Sequence, residues 1–208
     1  MRDRRVLFWD FDGVLKESVD VKTRAFVRLF ESFGADIARR VREHHESNGG
    51  MSRFDKLPLY MGWAGIAASD DAVSRYCELF SAAVFRAVID APWVPGAREY
   101  LEANHSRQHF VIVTGTPQAE IAQILEQLGI ADWFCEVHGA PTAKAAAIQS
   151  ALASLGCRAR DAMMIGDSES DLSAAAATNV DFLLRRTPLN SSLQRSYTGP
   201  QCEDFSNG

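Results

Sequence analysis

Long apolar runs are absent from this chain, and no stretch approaches the roughly 18 residues that a membrane-spanning helix needs. The opening segment MRDRRVLFWDFDG likewise has no long apolar region of the signal-peptide kind. An excess of positive charge is missing too. The formal net charge is −5 with the charges spread along the sequence, so there is no basic stripe suited to a phosphate backbone. The four cysteines, Cys77, Cys135, Cys157 and Cys202, form neither a CxxC pair nor a disulfide-framework spacing. Reduced thiols are expected, and no Cys/His spacing fits a structural zinc. Lysine is scarce, occurring only at Lys16, Lys22, Lys56 and Lys144. The expectation is a cytoplasmic protein whose partner is neither nucleic acid nor membrane.

What is present is enough apolar material for a real core: 208 residues at 47% hydrophobic suit one α/β domain with a modest insertion. Three short apolar runs share a pattern. Val6-Leu7-Phe8-Trp9 ends at Asp10, Phe110-Val111-Ile112-Val113 at Thr114, and Ala162-Met163-Met164-Ile165 at Gly166-Asp167. Each reads as a buried strand. Helical spacing appears in Ile121, Ile124, Leu125 and Leu128 before Gly129, and in Ile148, Ala151, Leu152 and Leu155 before Gly156. Strands alternating with helices imply right-handed βαβ units and a doubly wound parallel sheet. In such sheets ligands bind beyond the carboxyl ends of the strands, where Asp10, Thr114 and Asp167 would converge.

About ninety residues separate the first run from the second, too many for a simple connection. Ala25, Phe26, Leu29, Phe30 and Phe33 recur at helical spacing, and Asp70 to Ile89 is again helix-like. A helical cap spanning 17–92 is expected, inserted into a core formed by 1–16 and 93–208. Pro92, Pro95 and Gly96 mark the return, with hinge strands near 16–20 and 90–93. Within that cap, the segment from His44 to Lys56 is too polar for a core and too Gly-rich for an unbroken helix, and reads as a functional loop. His44 and His45 would point about 100° apart on a helix, which argues against joint metal ligation.

Asp10-Phe11-Asp12-Gly13-Val14-Leu15 places two carboxylates two residues apart at a strand end with no basic neighbour in sequence. Together with Asp167 they form a hard oxygen set suited to magnesium. This stretch, with Thr114-Gly115-Thr116, Lys144 and Gly166-Asp167-Ser168-Glu169-Ser170-Asp171, resembles the four ordered motifs of the haloacid dehalogenase superfamily, especially its helical-cap members of the β-phosphoglucomutase and phosphoglycolate phosphatase type.

The resemblance implies a Mg2+-dependent phosphatase of a small phosphorylated metabolite. In that reading Asp10 attacks phosphorus and Asp12 is general acid and base. Thr114, Gly115 and Thr116 hold phosphoryl oxygens and Lys144 offsets charge, while Asp167, with Asp171 in support, completes the metal site of Asp10 and Asp12. For Asp171 a helix N-terminal interaction alone would also account for the residue. Gly50-Met51-Ser52-Arg53 is similar to the Gly-x-Ser-Arg stretch of β-phosphoglucomutase, so Arg53 and Lys56 are expected to receive the leaving group. Glu17 stands where relatives often have Asp, and Val14 where Thr is frequent. Competing readings are a phosphomutase of the same mechanism, a dehalogenase and a non-catalytic phospho-ligand module.

Overall fold

The computed structural model of the chain describes Met1 and residues 3–206. Its central element is Val6–Trp9 (β1), buried at every position. Because successive strand residues face opposite ways, Leu7 and Trp9 enter one apolar cluster while Val6 and Phe8 enter another on the far side of the sheet. His109–Pro117 (β2) and Ala162–Gly166 (β4) flank β1 in parallel. Outside them lie Glu136–Ala140 (β3), Asp181–Arg185 (β5) and the two-residue Gln201–Cys202 (β6), giving the order β3-β2-β1-β4-β5-β6.

Ala97–Asn104 (α5) and Gln118–Gln127 (α6) cover the Leu7/Trp9 face with Leu101, Ile121, Ile124 and Leu125. Lys144–Ser154 (α7), Glu169–Thr178 (α8) and Ser191–Ser196 (α9) cover the other with Ile148, Ala151, Ala175 and Leu193. The sheet is therefore doubly wound, as the strand-helix alternation predicts. Strand order reverses at β1 and β4, whose carboxyl ends border the crevice in which such folds bind ligands.

Between β1 and β2 stand Val19–Phe30 (α1), Ala35–Ser47 (α2), Arg53–Trp63 (α3) and Asp70–Asp90 (α4). Phe26, Phe30, Tyr60 and Phe80 are buried among them, with ring centroids of Phe26 and Phe80 4.0 Å apart. The chain leaves and re-enters the sheet side by side: Glu17 N donates to Pro92 O at 2.9 Å and Val94 N to Leu15 O at 3.0 Å. The segment read as one polar loop is divided. His44 to Ser47 finish α2, and the Ser52 hydroxyl accepts from Phe54 N to start α3, leaving 48–52 as the irregular part. Among the described residues no helix is long and apolar enough to cross a membrane.

Candidate active site

Asp10 follows β1 directly, and its backbone N–H donates to Ile165 O at 3.0 Å, tying the residue to the end of β4. One carboxylate oxygen accepts from Phe11 N at 2.8 Å. The other accepts from Lys144 Nζ at 3.0 Å, and the same ammonium donates to Asp171 at 2.6 Å. Asp171 occupies the first turn of α8 and also accepts from the backbone N–H and hydroxyl of Ser168, at 3.1 and 2.6 Å. One Asp171 side chain thus caps the helix and backs Lys144.

Asp167 closes the group from the end of β4. Carboxylate oxygens of Asp10, Asp167 and Asp171 all lie within 4.8 Å of one another. Burial pushes the Asp10 carboxyl up to about 6, against the pull of Lys144 and with Asp171 and Asp12 adding repulsion. Burial, Asp10 and Asp171 likewise hold Asp167 well above the usual carboxylate range. Lys144 is raised above its ordinary value, since its two carboxylate partners outweigh its burial. Among the described residues, no hydrogen bond or ion pair satisfies the Asp167 carboxylate. A buried, unpaired carboxylate beside two others is a donor set that a hard cation fits. Gly13 makes room for it. With φ at +77°, a Cβ there would lie 2.9 Å from the Asp167 carboxyl carbon.

Asp12 is also expected among the metal ligands; its carboxylate stands outside that group of three. It accepts instead from the Ser18 hydroxyl at 2.6 Å and the Thr116 hydroxyl at 3.2 Å, and pairs with Lys22. Burial alone would raise its pKa, but Lys22 and these hydrogen bonds overcome it and hold the group below its ordinary value. The reason is local. Ser18 and Lys22 begin α1 immediately past the turn and offer donors that the strand end lacks.

A cavity over these groups is lined by Asp10, Asp12, Asp167 and the Thr114-Gly115-Thr116 stretch from the sheet side, and by His45, Gly50, Met51 and Arg53 from the inserted helices. Seven of the ten residues singled out in the sequence therefore meet at one wall or another, and Lys144, Asp171 and Lys56 stand behind. The fit of the helices over the sheet is close, since a Cβ at Gly50 would lie 3.0 Å from the Ser170 Cβ. Arg53 and Lys56, expected to receive the leaving group, are both engaged by protein side chains here. Arg53 is buried and donates to both oxygens of Glu120 on α6, at 2.8 and 2.6 Å, and to the Ser81 hydroxyl. Lys56 is 1% exposed and its Nζ lies 2.8 Å from His45 Nδ1.

A family model described as haloacid dehalogenase-like hydrolase matches residues 5–179. The chain belongs to this family. The phosphoglycolate phosphatase of Pseudomonas fluorescens is 28% identical over 185 residues, covering 85% of this chain and 67% of that protein. The phosphoglycolate phosphatase of Yersinia pseudotuberculosis is 27% identical over 182 residues, covering 83% and 77%. This hydrolase is accordingly a phosphatase of the family. Its fold is similar to that of CbbY from Rhodobacter sphaeroides in complex with phosphate, with a TM-score of 0.77 at 14% identity over 98% of this chain and 95% of that one. The β-phosphoglucomutase of Clostridium difficile aligns with a TM-score of 0.76 at 16% identity over 98% and 92%.

Three residues of this haloacid dehalogenase-like hydrolase were not singled out for the site in its sequence. Lys22 had a signal: the scarcity that draws attention to Lys144 applies equally to all four lysines. Lys16 and Lys56 are buried, and the Lys22 and Lys144 side chains are only 11% and 8% exposed. Glu120 carried no comparable mark and His45 was marked only as part of the His44 to Lys56 segment, because their roles depend on residues 67 and 11 positions away.

Proposed function

We propose that this phosphatase hydrolyses the phosphate monoester of a small soluble metabolite through a phosphoaspartate on Asp10, with Mg2+ as its cofactor. One observation carries the reading: a buried carboxylate at a strand end, 3.0 Å from a lysine Nζ and beside a second carboxylate that has no partner. Asp10, Asp167 and the backing Asp171 are the residues to hold the ion, which would supply positive charge against the phosphate dianion. Two like charges 4 Å apart repel by about 1 kcal/mol even in water, and by more in a drier site.

This chain's own groups account for the remaining steps. An Asp10 carboxylate oxygen attacks phosphorus while Asp12, entering this step protonated, gives its proton to the ester oxygen, which leaves as an alcohol and gives an aspartyl phosphate. A water then attacks phosphorus, loses a proton to Asp12, and releases inorganic phosphate with Asp10 restored. Once it has given its proton to the ester oxygen, Asp12 is held ionised by Lys22 and is prepared as the base of the second step. Lys144 fixes the Asp10 oxygen and keeps the nucleophile charged. Thr114, with the N–H groups of Gly115 and Thr116, would bind the transferring oxygens from the β2 end. The inserted helices act as the cap that excludes bulk water.

Phosphomutase action is the second reading, favoured by the fold shared with β-phosphoglucomutase and by the Gly50–Arg53 stretch. Arg53, however, is already paired with Glu120. Release of inorganic phosphate in proportion to substrate consumed separates hydrolysis from isomerisation. The first substrate for assay is phosphoglycolate, on the names of the two relatives. Asp10→Asn should lower kcat by a factor of about 10³ or more while thermal unfolding still shows a folded chain. A variant with a tenth of the normal turnover would rule out the covalent route.

A further inference from the structure

Four buried or nearly buried cations surround the cavity, and three of them have carboxylate partners. Lys144 has Asp10 and Asp171, Lys22 has Asp12, and Arg53 has Glu120. Lys56 has none among the described residues. Its polar contact is His45 Nδ1 at 2.8 Å, with the Phe26 ring centroid 5.8 Å from its Nζ. The His45 ring lies against Phe26 as well, with centroids 4.9 Å apart. Burial, with Lys22 beside it, lowers Lys56 to about 7; in its ammonium form Lys56 can only donate, so Nδ1 then accepts and the hydrogen of a neutral imidazole sits on Nε2. Burial, Lys56 and Lys22 keep this imidazole neutral by holding it well below its usual range. Nε2 is buried and has no hydrogen-bond partner. An unmatched buried N–H is costly and uncommon in folded proteins, and this one belongs to a side chain in the cavity wall.

We propose that His45, set by Lys56, is the specificity-determining residue of this phosphatase and that its Nε2–H hydrogen-bonds a carboxylate on the leaving group. The inference rests on the phosphatase reading above. The chemistry on both sides agrees. A carboxylate oxygen supplies the acceptor that Nε2 lacks, and its negative charge supplies the counter-ion that Lys56 lacks, while His45 relays the charge through its ring. Arg53 is excluded from that task by its two hydrogen bonds to Glu120. A neutral alkyl leaving group would satisfy neither group.

The test compares phosphoglycolate with ethyl phosphate, an ester of the same length without the carboxylate, in the full-length protein with Mg2+. The quantity read is the ratio of their kcat/KM values. His45→Asn keeps an amide near the Nδ1 position but cannot reach that of Nε2, and should lower the ratio about tenfold or more. His45→Gln carries an N–H to the Nε2 position and should recover most of it. Lys56→Met should lower the ratio as well, and it provides the same reading if His45→Asn does not fold. Inhibition by inorganic phosphate, retained in each variant, verifies an intact phosphoryl site. A wild-type ratio near one, an unchanged ratio in His45→Asn and Lys56→Met, or a His45→Gln as impaired as His45→Asn would each overturn the inference while leaving the phosphatase reading standing. Wild-type protein that releases phosphate from neither ester would overturn the inference, and failure on a panel of phosphorylated metabolites with Mg2+ as well would overturn both readings.

Discussion

The Arg53–Glu120 pair joins α3 of the inserted helices to α6 of the sheet layer, and removing one partner isolates a charge in a place where water hardly reaches. The two side chains are 4% and 8% exposed, with both guanidinium nitrogens engaged and Ser81 donating to the same carboxylate at 2.6 Å. Breaking a buried pair from one side costs about 3–5 kcal/mol, chiefly through the charge left behind. For a chain of this size each kcal/mol moves Tm by about 2–4 °C, so Glu120→Ala should lower Tm by about 6–20 °C. The double variant Arg53→Met/Glu120→Leu removes both charges at similar volume and should regain most of that loss. Calorimetric unfolding of wild type, both single variants and the double gives the coupling directly. A single-variant loss below about 1 kcal/mol, the value of an exposed pair, would refute the reasoning.

Acid strengthens rather than weakens part of this site. Asp10 is raised from 3.8 to about 6 and Asp167 is raised well above 3.8, so both favour the protonated folded form. The Asp10 contribution to stability is complete below about 3.8 and is lost as pH rises through about 6 in metal-free protein, and the Asp167 contribution is lost in the same upward direction. Chelated protein should therefore lose less stability on going from pH 7 to pH 5 than its other carboxylates would dictate, and Asp167→Asn should be more stable than wild type at pH 7 without metal. Mg2+ at one hundred times its Kd should raise Tm at pH 7 by about 5–11 °C and by less at pH 4.5, as read in a thermal-shift titration. No Mg2+ effect at pH 7 would eliminate the proposed ion site. Gly13→Ala forces an L residue into the left-handed region, at about 1–2 kcal/mol, and pushes on the Asp167 carboxyl. It should weaken Mg2+ binding by about tenfold or more, and unchanged Mg2+ affinity would show that Asp167 can retreat without consequence.

How much of this was legible in the sequence depended on distance along the chain. β1, β2 and β4 were legible because they are central and apolar throughout, and the turns after them carried Asp10, Thr114 and Asp167 to one edge. β3 was not, because an edge strand reading Glu136-Val137-His138-Gly139-Ala140 needs no apolar run. α8 was legible only at its start, where Asp171 was read in a first helical turn; its further course was not, because alanines such as Ala174 and Ala175 pack its buried face and leave little contrast with its outer face. The Asp10–Lys144 contact was foreseen through a resemblance in motif order, since nothing local links residues 134 apart. Arg53 and Lys56 were read as contacts for the leaving group, but which carboxylate or imidazole would claim each is decided by helix packing alone.

The confinement of lysine has a consequence for solution chemistry. Positive charge on the outer surface comes from arginine, while the four ε-amines are enclosed at the cavity or the crossing of the chain. An acylating reagent offered to the native protein should find the terminal amine and little else until the α1–α4 helices part from the sheet. The rate of modification at Lys22 and Lys56, followed by mass spectrometry, is thus a built-in clock for that opening, and saturation with substrate or product should slow it.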